Sequence, residues 1–327
     1  MSIKFFDMFA EIGSFRSGLE AIGGFECVGY CKIDKYAKQA YEAMYDTGGE
    51  LYFDDARKIV PEQLPDFDLL VGGFPCQSFS IAGARKGFDD TRGTLFFEIA
   101  RIAAVKKPKY LFLENVPSLL NHDKGRTFET ILRTLDGLGY NVCWQVLNIK
   151  NFGLLIKAKT KDGYQVAYPG DSIDIAFSGQ NSRRGRVGNQ VAHTLTTSAT
   201  QAYYFIDLNP DPKLTEIARC ITARHDSGIS NRKAEHSGVF VESTNIADDE
   251  KFAVAFVEPN GEVHIGRIRK LTPRECWKLQ GFTDDQFDKA KATGLSDSRL
   301  YKMAGNAVTV KVISEIGKII KKVNDKN

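Results

Sequence analysis

The stretch Ile3-Lys4-Phe5-Phe6-Asp7-Met8-Phe9-Ala10-Glu11-Ile12-Gly13-Ser14-Phe15 decides the fold. Residues 3–8 are mostly apolar, a pattern that fits a strand covered on both faces. The next residues turn the chain, and a helix follows through Leu19 and Ile22. Working outward, the same alternation repeats. Residues 25–30 read as a second strand. Asp34 suits a helix cap, and Ala37, Ala40, Tyr41 and Met44 share one face of the helix behind it. Residues 67–71, 110–113 and 142–147 are further strand candidates, with helices expected over 93–105 and 127–138. Strands separated by helices predict an α/β protein with a doubly wound, mostly parallel sheet.

The texture changes near Phe152. From there to about Ile268 the chain is rich in Gly, Ser, Thr and Asn, with short β-like runs and no long helical period. A smaller β-rich domain is expected. Helical signals return at Thr272, Pro273 and Glu275, which read as a cap, a first-turn proline and a capping-box acid. Residues 308–320 carry an apolar face that should pack back on the first domain. The expected organisation is a sheet domain over 1–153 completed by 300–327, a β-rich domain over 154–268 and a hinge over 269–299.

Composition excludes several classes. The chain has 327 residues, 43% hydrophobic and 26% charged, which fits a globular protein and not a disordered or collagen-like one. No apolar run approaches the roughly 20 residues that span a bilayer. The N-terminus lacks the apolar stretch of a signal peptide. No membrane role and a cytoplasmic location are therefore expected. A net charge of +3, from 44 bases against 41 acids, permits nucleic-acid binding without demanding it. The six cysteines are scattered, which argues against a zinc site and for free thiols in a reducing compartment. No metal site is expected.

Three segments fall at the ends of predicted strands, where ligands bind in open α/β sheets. The first, Phe9-Ala10-Glu11-Ile12-Gly13-Ser14, is compatible with a nucleotide-like cofactor or with an ordinary turn. The second is Gly72-Gly73-Phe74-Pro75-Cys76-Gln77-Ser78-Phe79-Ser80. A thiol just past a strand end suits a nucleophile, because the thiolate attacks well once locally activated. The third, Leu113-Glu114-Asn115-Val116-Pro117, puts a carboxyl group at a strand end, suited to proton transfer or hydrogen bonding.

Taken together, these segments and the run through Gly93-Thr94-Leu95-Phe96-Phe97 resemble the bacterial DNA (cytosine-5) methyltransferases. The resemblance covers residues 5–147 and 269–313. It implies the S-adenosylmethionine-dependent methyltransferase fold with a target-recognition domain. It implies transfer of a methyl group from S-adenosylmethionine to a cytosine flipped out of double-stranded DNA. Cys76 would add to C6 of the ring, and Glu114 would hold N3 and the exocyclic amine. Phe9, Ile12, Gly13, Lys32, Asp55, Phe74, Pro75, Leu95, Asn306 and Val308 would form the cofactor site. Gln77, Ser78, Ser80, Arg85, Lys86 and Arg92 would belong to a loop that closes over DNA. In the middle domain, Arg183, Arg184 and Arg186 suit phosphates, Thr194-Leu195 resembles the family's threonine-and-aliphatic signature, and Arg224 is of a type that reaches base edges. The other cysteines read as structural. A monomer is expected.

The sequence also departs from the family pattern. Where the family's first motif carries glycine, Glu11 adds bulk and charge, and Ser14 is a milder change. At the end of the second strand, Lys32 stands where a glutamate would bind the ribose hydroxyls. An ammonium offers no acceptor, so weaker cofactor binding is expected. After Asn151-Phe152-Gly153, a Pro-Gln-x-Arg-x-Arg block has no visible counterpart. These changes leave a second reading open: an impaired DNA-binding relative, or a chain that needs a partner to supply the block. A dinucleotide-dependent oxidoreductase is disfavoured, because the G-x-G-x-x-G turn is absent and nothing would explain Cys76 with Glu114.

Overall fold

The computed structural model describes residues 2–75, 95–147 and 270–326 with their side chains, and short strands of the backbone between 154 and 270. The chain divides into two compact units, Met1–Val146 with Trp277–Asn327, and Leu147–Cys276. Residues 277–299, expected within a hinge, thus belong to the first unit.

In the first unit, β1 (Ile3–Met8), β2 (Phe25–Cys31), β3 (Leu51–Phe53), β4 (Leu69–Gly73) and β5 (Tyr110–Glu114) form a parallel sheet. The strand order is β3-β2-β1-β4-β5. The order reverses between β1 and β4, the topological switch point where such sheets bind ligands.

Side chains alternate across each strand, which explains the run of apolar residues in β1. Phe5, Leu69 and Val71 enter one cluster with Phe15, Leu19 and Ile313. Phe6, Met8 and Leu70 enter another with Phe96, Ile99, Ile102, Ile131 and Leu135. The first cluster is covered by α1 (Ser14–Ile22) and α8 (Val310–Asn324), the second by α3 (Leu95–Lys106) and α4 (Arg126–Gly137). Between α1 and α3 lies α2 (Lys35–Met44), whose cap is Asp34, with its carboxylate accepting from the Tyr36 and Ala37 amides. Its buried face is the expected one, Ala37, Ala40, Tyr41 and Met44.

Gly18 lets α1 and α8 touch. A Cβ there would stand 2.6 Å from Ile313 Cβ and 2.9 Å from the Val310 carbonyl oxygen. Helix propensity alone favours alanine over glycine by about 1 kcal/mol. Gly18→Ala is nevertheless expected to destabilise the protein by about 1–3 kcal/mol through overpacking. Denaturant unfolding checks this, and a stabilised variant would contradict the close approach.

The strand expected over 142–147 does not form. These residues make no ladder, and Val142, Trp144 and Val146 are exposed. Their alternation mimics a strand, but the described sheet ends at β5, so their backbone groups gain no partner strand. Trp144 instead meets the Phe128 ring of α4 edge-on.

After α4 the second unit contains β6 (Leu154–Lys157), β7 (Tyr164–Ala167), β8 (Ser172–Asp174), β9 (Arg186–Gly188), β10 (Tyr204–Asp207), β11 (Leu214–Thr215), β12 (Ser237–Glu242), β13 (Val254–Val257) and β14 (Val263–Lys270). β6 pairs with β7 and β8 with β9, while the other five form an antiparallel sheet ordered β11-β10-β12-β14-β13. The β-rich texture of the sequence is thus met by strands. The chain then enters α5 (Pro273–Leu279), α6 (Asp284–Ala292) and α7 (Asp297–Asn306). Thr272 and Glu275 make the reciprocal bonds of a capping box, Thr272 N–H to Glu275 and Glu275 N–H to Thr272.

Candidate active site at the strand ends

The turn after β1 is built from unusual backbone. Phe9 and Glu11 adopt positive φ, +57° and +49°, and Gly13 has φ +79°. Only Gly13 has a steric reason to be glycine. A Cβ there would lie 2.5 Å from Tyr45 Cε2 and 2.9 Å from Tyr41 Cε2. The Tyr45 hydroxyl donates to the Gly13 carbonyl at 2.9 Å. Gln286 of α6 donates to Ser17 at 2.7 Å, which fixes the same corner from another helix.

Beneath this turn lies a buried polar cluster. Asp7 is wholly inaccessible, and its Oδ2 accepts from the Tyr41 hydroxyl at 3.4 Å while Oδ1 has no partner. Arg16, also buried, pairs with Glu20 and Glu50, each at 2.8 Å. Burial pushes the Asp7 carboxyl up to about 8, against the pull of Arg16 and the Tyr41 bond.

Two glycines bring β4 close to its neighbours. A Cβ on Gly72 would meet the Met8 carbonyl oxygen at 2.5 Å. A Cβ on Gly73 would meet Glu114 Oε2 at 2.9 Å and Val308 Cγ2 at 3.9 Å. Glu114, the last residue of β5, therefore lies against the backbone that leads into Phe74, Pro75 and Cys76. Burial raises its carboxyl above the ordinary range. The neighbouring Asn115 donates from Nδ2 to the Phe74 carbonyl at 2.6 Å, tying the two strand ends together. Sequence reasoning gave Asn115 no role, although its place beside Glu114 was visible. Val308 is held by its surroundings: Thr309 Oγ1 donates to Gln280 Oε1 at 2.7 Å, and Gln280 donates to the Ala304 carbonyl at 2.9 Å.

The expected site residues divide clearly. Phe9, Gly13, Lys32 and Asp55 lie at the ends of β1, β2 and β3, and Phe74, Pro75, Glu114 and Val308 at the ends of β4 and β5 or next to them. Leu95 begins α3, and Asn306 ends α7 in an exposed position. Ile12 differs from expectation. It is fully buried, so its side chain supports the turn from below and does not line a cleft. Asp55 caps the turn Ala56–Lys58, and both of its oxygens accept from Arg57. That partner lowers its carboxyl to about 2. An adenine amine would compete there with an exposed guanidinium.

The largest difference concerns Glu11 and Lys32. Read separately, each looks damaging. In the structure they form an ion pair, Lys32 Nζ to Glu11 Oε1 at 2.6 Å. The parallel register Met8↔Cys31 places the residues after β1 and β2 side by side.

Cys76, Gln77, Ser78, Ser80, Arg85, Lys86, Arg92, Arg183, Arg184, Thr194 and Arg224 lie outside the described residues, and Arg186 is described only as backbone in β9. Among the other thiols, burial raises those of Cys31 and Cys276 to about 12, and that of Cys27 rises for the same reason. All three are poor nucleophiles. Cys143 is exposed and so is not a packing residue. Among the described residues no cluster of three potential metal ligands occurs, and no helix is long and apolar enough to cross a membrane.

A parallel sheet whose fourth strand is followed three residues on by a cysteine in the sequence, with a half-buried carboxyl at the end of β5, narrows the comparison with known proteins. The family model described as C-5 cytosine-specific DNA methylase matches residues 3–155 and 176–322. The chain belongs to this family. It is 36% identical to type II methyltransferase M.NlaX of Neisseria lactamica, over 97% of this chain and 96% of that protein. It is 34% identical to type II methyltransferase M.HhaI of Haemophilus parahaemolyticus, over 96% and 93%. The fold is similar to that of the S. pombe Dnmt2 methyltransferase, with a TM-score of 0.60 at 16% identity over 98% of this chain and 99% of that one. Members of this family methylate C5 of cytosine in double-stranded DNA and use S-adenosylmethionine as methyl donor. The switch-point site fits that donor. Gly72 and Gly73 let the end of β4 lie close against the end of β1 and against Glu114. Glu11 offers a carboxylate to hydroxyl donors, and Phe9 and Val308 offer partly exposed apolar surface.

Proposed function

We propose that this chain methylates C5 of a cytosine flipped out of duplex DNA, through a covalent bond from Cys76 to C6. The observation that carries this reading is the position of Glu114. A carboxyl group of raised pKa lies against Gly73, which precedes Cys76 by three residues in the sequence.

Cytosine C5 is a poor nucleophile until C6 is saturated. The Cys76 thiolate adds to C6 while protonated Glu114 donates to N3, and the ring becomes an enamine. S-adenosylmethionine supplies the methyl group that C5 then accepts. Loss of the C5 proton to a base and expulsion of the Cys76 thiolate restore the aromatic ring, now methylated, and N3 returns its proton. Asn115 keeps the cysteine loop and the Glu114 strand at a fixed separation. Phe9, Gly13, Lys32, Asp55, Phe74, Pro75, Leu95, Asn306 and Val308 surround the donor. Ile12 supports the turn through its backbone. Gln77, Ser78, Ser80, Arg85, Lys86 and Arg92 close over the DNA, excluding water from the adduct. Residues 154–268 recognise the target, with Arg183, Arg184 and Arg186 on phosphates and Thr194 and Arg224 near the bases. The chain acts as a monomer.

The test is direct. Purified protein, duplex DNA and methyl-labelled S-adenosylmethionine should yield labelled 5-methylcytosine. Cys76→Ala should yield none while retaining DNA binding that weakens with salt. DNA binding without label in the unmodified protein would favour the impaired relative instead.

A further inference from the structure

The Glu11–Lys32 pair has an asymmetry that a simple surface salt bridge lacks. The Lys32 side chain is 7% exposed and that of Glu11 is 27% exposed. The cation is thus on the protein side and the carboxylate on the open side, at the carboxyl ends of β1 and β2. Lys32 is also fixed through its backbone. Its N–H donates to the Phe53 carbonyl at 3.0 Å, and its own carbonyl accepts from the Tyr52 hydroxyl at 3.0 Å.

Glu11 keeps a positive φ of +49°, a strained conformation for a residue with a Cβ. Such a conformation persists only where surrounding contacts determine it. A carboxylate has about four lone-pair sites, and an ammonium has none. One Glu11 oxygen meets Lys32, which leaves acceptor capacity on the more exposed member of the pair.

We propose that Glu11 is the acceptor for the vicinal hydroxyls of the cofactor's ribose, and that Lys32 is a positioning residue which holds its carboxylate in place. The family's carboxylate has in effect moved from the end of the second strand to the turn after the first, and the lysine keeps it there. Ligands carrying a 2′,3′-diol are therefore preferred over their deoxy counterparts. This inference rests on the methyltransferase reading above.

Calorimetric titration of the intact protein with S-adenosylhomocysteine and with its 2′-deoxyadenosyl analogue tests it. The unmodified protein should prefer the ribose form by about tenfold, the difference expected for one charge-assisted bond. Glu11→Gln should weaken the ribose form by a similar factor and abolish the preference. Lys32→Met should do the same by releasing the carboxylate, whereas Lys32→Arg should retain most affinity. Glu11→Gly and Lys32→Glu should each weaken binding, and the two together should restore it, because the double variant returns the carboxylate to the strand end. Thermal unfolding confirms that each variant is folded. Equal binding of the ribose form by Glu11→Gln and the unmodified protein would overturn the inference alone. So would a double variant no better than its parents. Failure of the unmodified protein to bind S-adenosylhomocysteine would overturn the methyltransferase reading with it.

Discussion

Glu114→Gln is expected to slow methyl transfer by about 10²- to 10⁴-fold, the range for loss of a positioned acid. The substitution keeps the size of the side chain and its ability to hydrogen-bond cytosine. What it removes is a transferable proton. Burial raises the Glu114 carboxyl above its ordinary value, so more of it is protonated near neutrality than an exposed glutamate would be. In the unmodified enzyme, the transfer rate should fall as pH rises through that raised value, because the acid is then lost. The variant should lack this limb and keep only the limb set by the thiolate. Cofactor affinity should change little, since Glu114 abuts Gly73 and not the turn after β1. Initial rates with labelled S-adenosylmethionine from pH 5.5 to 9 would check it. A variant within tenfold of the parent and with the same pH profile would refute the assigned role.

The second large effect concerns stability. Asp7 is buried without a partner for Oδ1, and its carboxyl stands at about 8 in place of 3.8. Between those values the folded state holds a proton that the unfolded state has released. Unfolding stability must then fall as pH rises, with a limiting slope near 1.4 kcal/mol per pH unit. Stability from this group is fully present below the unfolded value and is lost as pH climbs toward the folded one. Asp7→Asn removes the titration while keeping the shape. Denaturant unfolding at several pH values from 5 to 8 should show the difference between parent and variant widening with pH in favour of the variant. Parallel profiles would mean that Arg16 holds Asp7 ionised.

Much of the sheet was legible because its causes are local. The runs in β1, β4 and β5 are apolar on both faces, and the Asp34 cap and the Thr272–Glu275 box announce their helices within a few residues. The strand over 142–147 misled because alternation signals a face and not a partner. The pairing of Glu11 with Lys32 was hidden for a different reason. Each residue breaks a pattern by itself, and only the parallel register of β1 and β2 brings the two together. Ile12 looked like a lining residue because it sits in the right motif, yet the turn directs it into the core. The Asn115 bridge depends on the approach of two strand ends, which spacing along the chain does not encode.

The contact of α1 with α8 also bears on how this protein is made. Phe15 and Leu19 share a cluster with Ile313, and Ser314 donates to the Gly18 carbonyl at 3.0 Å. Residues of α1 are thus covered by residues synthesised 296 positions later. At ribosomal speeds of about 5–20 residues per second, the apolar face of α1 waits on the order of 15–60 s for its cover. During that interval the nascent chain displays a sticky helix and a turn lacking its Gln286 brace. Chaperone demand should therefore persist until α8 emerges, and a ribosome-stalled chain lacking α8 should not yet methylate the DNA around it.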